Sequence, residues 1–293
     1  MPEFGEMLVK DGEGVRRAQS PIRIRHLFEM TAGFSYDLNS PSLMRCRKET
    51  EGRCPTREVM RYLAKEPLLF EPGDRWEYSL CHDVLAALVE TLSGESFADY
   101  AKKHIFDPIG MKDASFLISD GELSSIAPQY CFRDGKAVNI GPTISYKLGC
   151  KYASGGAGGI CTVDDYMRFL EGLRTGRLLN TDTVTLMQTD RLTEHQKRTY
   201  WTRETHGYGL GVRCARESGR YRDFGWGGAA GAYLAIDPER ELSVYLGSHL
   251  MCSPVQGMRS MVYRFVLAEL FDQTELSRIQ KELAAKSEYH LTY

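Results

Sequence analysis

Nucleophilic side chains set in a recognisable local motif are scarce in these 293 residues. No Gly-x-Ser-x-Gly string is present, so the strand-turn-helix elbow of the α/β-hydrolases is excluded. Neither His-Glu-x-x-His nor a Walker glycine loop occurs. Two glycine-rich strings stand out, Ser154-Gly155-Gly156-Ala157-Gly158-Gly159 and Gly225-Trp226-Gly227-Gly228-Ala229-Ala230-Gly231. Neither ends in the lysine of a phosphate loop, and by themselves they read as tight turns and close backbone contacts. Ser79, Ser154 and Cys161 are candidate nucleophiles inside the chain, but each would need an adjacent base and a reason to be activated. Ser79 is the best placed of the three, and Ser154 reads as a turn residue.

Composition narrows the class. The chain is 42% hydrophobic, 26% charged and 11% aromatic, ordinary for a globular protein and far from a disordered one. A formal net charge of -2 gives no electrostatic footprint for nucleic acid or an anionic membrane. No apolar run approaches the roughly 18 residues of a membrane span, and no signal peptide is visible at Met1-Pro2-Glu3-Phe4-Gly5-Glu6. The eight cysteines (46, 54, 81, 131, 150, 161, 214, 252) show no Cys-x-x-Cys and no paired histidine spacing, which leaves a zinc site unsupported. Such unpatterned cysteines suit a reducing compartment, so a cytoplasmic location is expected. No metal or organic cofactor is expected.

The elements that must position any site follow from periodicity. A short helix is expected from Ile22 into Thr31-Ala32-Gly33, then an irregular polar stretch over 34–55, then a helix from Pro55 to Lys65. Val84, Leu85, Leu88, Val89 and Leu92 mark a helix from Cys81 that Gly94 stops, and a second helix runs from Ser96 to Ile105. Asp134-Gly135 joins Gln129–Phe132 to Lys136–Val138 as a hairpin. Thr162 caps a helix carrying Tyr166, Met167, Phe169, Leu170 and Leu173. Beyond residue 205 the pattern turns to strands at Tyr208–Val212, Tyr221–Gly225, Ala232–Ile236 and Leu242–Ser248, covered by an amphipathic helix over Val255–Phe271. This is an α+β layout in one domain over 1–293: a mainly helical part to 205, strands and covering helix over 206–275, and a tail over 276–293.

Four separated strings, in order, resemble the superfamily of class C β-lactamases, penicillin-binding proteins and family VIII carboxylesterases. Ile24-Arg25-His26-Leu27 through Thr31-Ala32-Gly33-Phe34 is similar to its "IRHLL-x-x-TSGL" string, and Glu71-Pro72-Gly73-Asp74-Arg75-Trp76-Glu77-Tyr78-Ser79 to its "PG-x-x-W-x-YS" motif. Ser154-Gly155-Gly156 to Asp165-Tyr166 and Phe169 resembles "SGG-x-G-x-x-ST-x-x-D-x-x-RF". Gly225–Gly231 with Asp237-Pro238 resembles the strand motif that replaces Lys-Thr-Gly in esterase-like members. The resemblance implies an antiparallel sheet flanked by helices and a serine hydrolase working through an acyl-enzyme on a small-molecule ester or amide.

It also implies roles. Tyr78 matches the tyrosine whose phenolic oxygen takes and returns the nucleophile's proton; a phenol with an ordinary pKa of about 10 needs a nearby cation for this. As a bare residue, Tyr78 also reads as a core tyrosine beside Trp76. Trp226, Gly227 and Gly228 match the substrate-binding strand, and the Ala229 N–H matches an oxyanion donor. Leu80 stands where many β-lactamases have asparagine, and Trp226 where they have lysine, which favours an esterase-like or amidase-like member. The family's nucleophile lies in Ser-x-x-Lys, and no serine here is followed three positions later by lysine. Because that motif precedes an "LPEF"-like string in the family, and Met1-Pro2-Glu3-Phe4 stands at the start here, the nucleophile helix and two sheet strands are expected to be missing. The isolated chain is then expected to be inactive, and unstable or oligomeric. The alternative is a non-catalytic binding protein that keeps the family's cleft.

Overall fold

A tight hairpin opens the computed structural model, which describes residues 1–118, 120–141, 148–216, 221–254 and 258–290. Its strands β1 (Leu8–Asp11) and β2 (Gly14–Arg17) pair antiparallel, and β1 is tied to the body by Lys10 N–H donating to the Leu68 carbonyl at 2.9 Å. Helix α1 (Ile24–Phe28) follows, then α2 (Pro41–Glu49) and α3 (Thr56–Leu63). Helix α2 lies in the stretch expected to be irregular. Its Asn-Ser-Pro start looks like a turn, yet Ser40 occupies the N-cap and Pro41 the first turn, where a missing N–H is harmless. Leu43 and Cys46, three residues apart, are each 1% exposed and fix its inward face.

Helix α4 (Cys81–Ser93) runs to Gly94, which ends it in the left-handed conformation at φ 75°. Ser96 accepts from Asp99 N–H to start α5 (Phe97–Ala101), which continues through a π-helical turn over Lys102–Phe106 into α6 (Asp107–Ile109). The expected hairpin is present as β3 (Gln129–Arg133) and β4 (Lys136–Gly141), with Asp134 and Gly135 both at positive φ. Thr162 caps α7 (Val163–Arg174), as expected, and α8 (Thr181–Met187) and α9 (Glu194–Lys197) follow with side-chain caps from Asn180 and Thr193.

The larger sheet is an antiparallel meander, β5 (Gly207–Tyr208), β6 (Arg213–Cys214), β7 (Phe224–Gly227), β8 (Tyr233–Asp237) and β9 (Leu242–Leu246), in that spatial order. The expected strand over 208–212 is instead a hairpin corner. Gly211, at φ 80°, turns the chain between β5 and β6. The period of two is explicit in β8: Ile236 packs with Leu170 of α7 on one face, and Ala235 with Tyr263 on the other. Strand β10 (Leu250–Met251) leaves this sheet and pairs parallel with β3. Tyr263 lies on α10 (Met261–Phe271), and the chain stays helical in α11 (Gln273–His290), where a tail was expected. Residues 255–257, the expected start of the covering helix, lie outside the described residues. Among the described residues no helix is long and apolar enough to cross a membrane.

His82, near the start of α4, ties the helical part to the sheet. Its ring lies against Gly211 and by the Phe28 carbonyl, which also accepts from Gly211 N–H at 2.9 Å. Burial lowers its pKa to about 4, with only partial relief from the Phe28 carbonyl. The unfolded chain therefore binds the proton first, and stability should fall as pH drops from about 6.5 to about 4. The loss is up to about 3 kcal/mol. Urea midpoints measured across this range should decline in the parent and much less in His82→Gln.

Candidate active site

The two motifs that begin the chain are woven together by backbone hydrogen bonds. Gly73 N–H donates to the Thr31 carbonyl at 2.8 Å, Glu77 N–H to Met30 at 2.9 Å, and Leu69 N–H to Gly33 at 2.7 Å. Segment 193–201 clamps the second motif from outside. Gln196 donates to the Gly73 carbonyl at 2.7 Å, and the Thr199 hydroxyl accepts from Trp76 N–H at 3.1 Å and donates to its carbonyl at 2.8 Å. Trp76 is thereby fully buried, with Tyr200 and Tyr208 edge-on at 5.0 and 5.6 Å.

Tyr78 emerges from this frame half-buried. Its ring stacks on Tyr36 at 5.2 Å and on Trp226 at 5.9 Å, the latter only 10° from parallel. Trp201, 65% exposed, leans on the same ring at 5.2 Å. Residues far apart in the chain thus form one aromatic wall, with Tyr78 at its centre. Buried beneath it, the Trp76 Nε1 and Tyr208 hydroxyl have no hydrogen-bond partner among the described residues.

Strand β7 brings Trp226 and Gly227 to this wall. It pairs with β8 along its length but with β6 only at Arg213–Gly225, so beyond Gly225 that edge has no strand partner among the described residues. Ala229 lies in the exposed turn after β7, past the end of the strand rather than within it. Gly228 closes the turn by donating to the Ala232 carbonyl at 2.8 Å. Leu80 is elsewhere: it caps α4 at 2% exposure within the main core, with its N–H directed to the Ser35 carbonyl, and presents no surface to a ligand.

A residue without a sequence signal completes the picture. Arg259, just before α10, donates to the Gly228 carbonyl and lies so close to Gly227 that a Cβ there would come 2.9 Å from its Nε. Burial lowers its pKa, though a guanidinium stays charged. A cation thus stands against Gly227 and the turn after β7, although the strand itself has none. Nothing local marks it, because the contact spans 31 residues and belongs to no motif.

The in-chain nucleophile candidates are placed unfavourably. Ser79 is 2% exposed, and its hydroxyl lies 3.1 Å from the Cys81 sulfur and 3.8 Å from that of Met30. Ser154 is 4% exposed and committed: it donates to Asp83 Oδ1 at 2.6 Å and accepts from Ala157 N–H at 3.0 Å. Tyr152 donates to the same Asp83 oxygen at 2.5 Å, so this network locks the glycine-rich loop onto α4. Burial and then the Asp165 carboxylate push the Cys161 thiol up to about 11, which leaves it protonated near neutral pH. Among the described residues no group of three or more His, Cys, Asp or Glu could hold a metal ion.

The fold is shared with known proteins. The chain is 28% identical over 259 residues to Protein Rv1367c of Mycobacterium tuberculosis, covering 79% of this chain and 63% of that one. It is 31% identical over 196 residues to Esterase EstB of Burkholderia gladioli, covering 59% of this chain and 48% of the esterase. It thus spans about half to three fifths of the length of these relatives. Among solved structures it is similar to EstCE1, described as a hydrolase with promiscuous acyltransferase activity. The TM-score is 0.71 at 26% identity, over 89% of this chain and 75% of EstCE1. The sequence profile of the family described as Beta-lactamase matches residues 9–257. The chain belongs to the Beta-lactamase family, with the mixed helical and antiparallel fold of its hydrolases and acyltransferases.

Proposed function

We propose that this site performs acyl transfer on small-molecule esters or amides through a serine acyl-enzyme, and that it is esterase-like rather than an efficient β-lactamase. The observation that carries this reading is the near-parallel stacking of Trp226 on Tyr78, which joins the two family-like motifs in one wall. The names of EstB and EstCE1 support it, one an esterase and the other a hydrolase with promiscuous acyltransferase activity. An aromatic ring where β-lactamases carry a lysine favours apolar acyl groups over a β-lactam's carboxylate.

The nucleophile and its lysine come, in this proposal, from outside these 293 residues, since no Ser-x-x-Lys exists within them. As the serine oxygen bonds to the substrate carbonyl carbon, its proton passes to Tyr78, held as a phenolate by the lysine's cation. The carbonyl electrons move onto oxygen, which backbone N–H groups hold, Ala229 among them. Collapse expels the alkoxide or amine, which takes the proton back from Tyr78. Water then repeats the sequence and frees the acid; an alcohol in its place gives a new ester.

The protein joined to its nucleophile segment should hydrolyse p-nitrophenyl butyrate with an initial burst and turn over nitrocefin far more slowly. Nitrocefin turnover as fast as the ester would overturn the esterase reading. Trp226→Ala should lower kcat/KM for the ester about two- to tenfold, the worth of one aromatic stack, with the Tyr78 hydroxyl intact. Steady-state kinetics on both proteins checks this.

A further inference from the structure

A cavity of about 510 Å³ lies at the end of α2 and the start of α3, and it shares no lining residue with the aromatic wall. Four of the side chains around it are cations: Arg53, Arg57, Arg61 and Lys151. Two elements hold them in place. Arg57 and Arg61 stand one turn apart on α3. Arg53 and Lys151 sit on neighbouring segments joined by Lys151 N–H to the Arg53 carbonyl at 2.8 Å and Cys150 N–H to Gly52 at 3.1 Å.

The two carboxylates at the cavity are already engaged. Glu58 pairs with Arg61 at 2.9 Å, and Glu49 with Arg45 at 3.2 Å and with the Tyr62 hydroxyl. Arg53 pairs with the exposed Glu51 at 3.6 Å and donates to the Thr50 carbonyl at 3.2 Å. Arg57 and Lys151 have no carboxylate within ion-pair distance among the described residues. The start of α3 adds to the positive side, since Pro55 at its N-cap gives no side-chain cap and Pro55, Arg57 and Glu58 line the cavity.

We propose that this cavity binds a phosphoryl group carried on a small soluble molecule. A phosphate monoester brings close to two negative charges and three acceptor oxygens, which suits a cavity lined by three guanidinium groups and an ammonium. A monocarboxylate has half the charge and cannot engage all three. The volume falls in the range of small-molecule sites and exceeds a bare phosphate, leaving room for an organic body. The site stands apart from the acyl chemistry and does not depend on it.

Isothermal titration of the full-length protein with glycerol 3-phosphate and with inorganic pyrophosphate tests this, with acetate as the monoanion control. Saturable binding of both phosphates is expected, weakening with salt. In the Arg57→Ala, Lys151→Ala double variant it should fall about tenfold or more, while the melting temperature is unchanged because both side chains are exposed. Absence of saturable phosphate binding, equal affinity in the double variant, or acetate binding as tightly would overturn the proposal. Co-sedimentation with phosphatidylcholine vesicles containing phosphatidic acid, without binding of the soluble phosphates, would also overturn it in favour of a lipid headgroup.

Discussion

Tyr78→Phe should lower kcat for ester hydrolysis by about 10²- to 10⁴-fold, the range for removing a positioned general acid-base group. The substitution deletes one oxygen and keeps the ring. Stacking on Tyr36 at 5.2 Å and on Trp226 at 5.9 Å is therefore preserved, so neither the fold nor apolar substrate binding should suffer. The expected pattern is a collapse in kcat with KM and melting temperature close to the parent values. A merely structural tyrosine would give the opposite, near-normal kcat with a modest change in stability. Rapid-quench measurement of acyl-enzyme formation separates the two, because the proton transfer belongs to the acylation step itself.

Asp223→Ala should destabilise the chain by about 3–5 kcal/mol, the loss seen when one partner of a buried ion pair is removed. Asp223 is wholly buried and pairs with Arg213, itself 6% exposed. The same guanidinium donates to the Tyr233 hydroxyl at 2.6 Å and the Leu234 carbonyl at 2.9 Å, and stacks 4.8 Å over the Tyr233 ring. It thereby pins β6 against β8 across β7, the strand that carries Trp226. Burial alone would raise the Asp223 pKa, but His206 and Arg213 outweigh it and hold the carboxyl below its usual value. Its stabilisation is thus fully present above the ordinary carboxylate pKa of about 3.9 and is lost as pH falls through the lowered folded value. Replacing both partners, Arg213→Met with Asp223→Leu, should recover most of the loss, since no uncompensated charge then remains. Chemical denaturation of the parent, the single and the double variant gives the comparison. A single variant as stable as the parent would contradict this role.

Periodicity carried much of the fold. The helix expected from Cys81 ends at Ser93, and the Asp134-Gly135 hairpin forms with both residues at positive φ, because in each case local chemistry and tertiary packing agree. Where local chemistry pointed two ways, the sequence misled. Asn39-Ser40-Pro41 suits a turn as well as a helix start, and only the burial of Leu43 and Cys46 decides for α2. Tyr208–Val212 alternates like a strand, yet Gly211 breaks it into a corner.

The candidate site was legible as motifs but not as a wall. The resemblance put Tyr78 and Trp226 in one site; that Tyr36 and Trp201 join them depends on long-range packing that no spacing rule encodes. Leu80 could not be placed from sequence either, because the motif position and the core position coincide at the cap of α4. Arg259 brings a guanidinium against Gly227 and the Gly228 carbonyl from a separate segment, which no motif marks.

In the proposed reaction these residues form the body of a serine acyl hydrolase whose nucleophile lies outside them. Treating the protein purified from its own cells with a fluorophosphonate probe, and locating the labelled residue by mass spectrometry, tests this. One labelled serine is expected, in a Ser-x-x-Lys peptide outside these 293 residues, with labelling lost in Tyr78→Phe. A label on Ser79, Ser154 or any other serine of the chain, or no labelling at all, would contradict it.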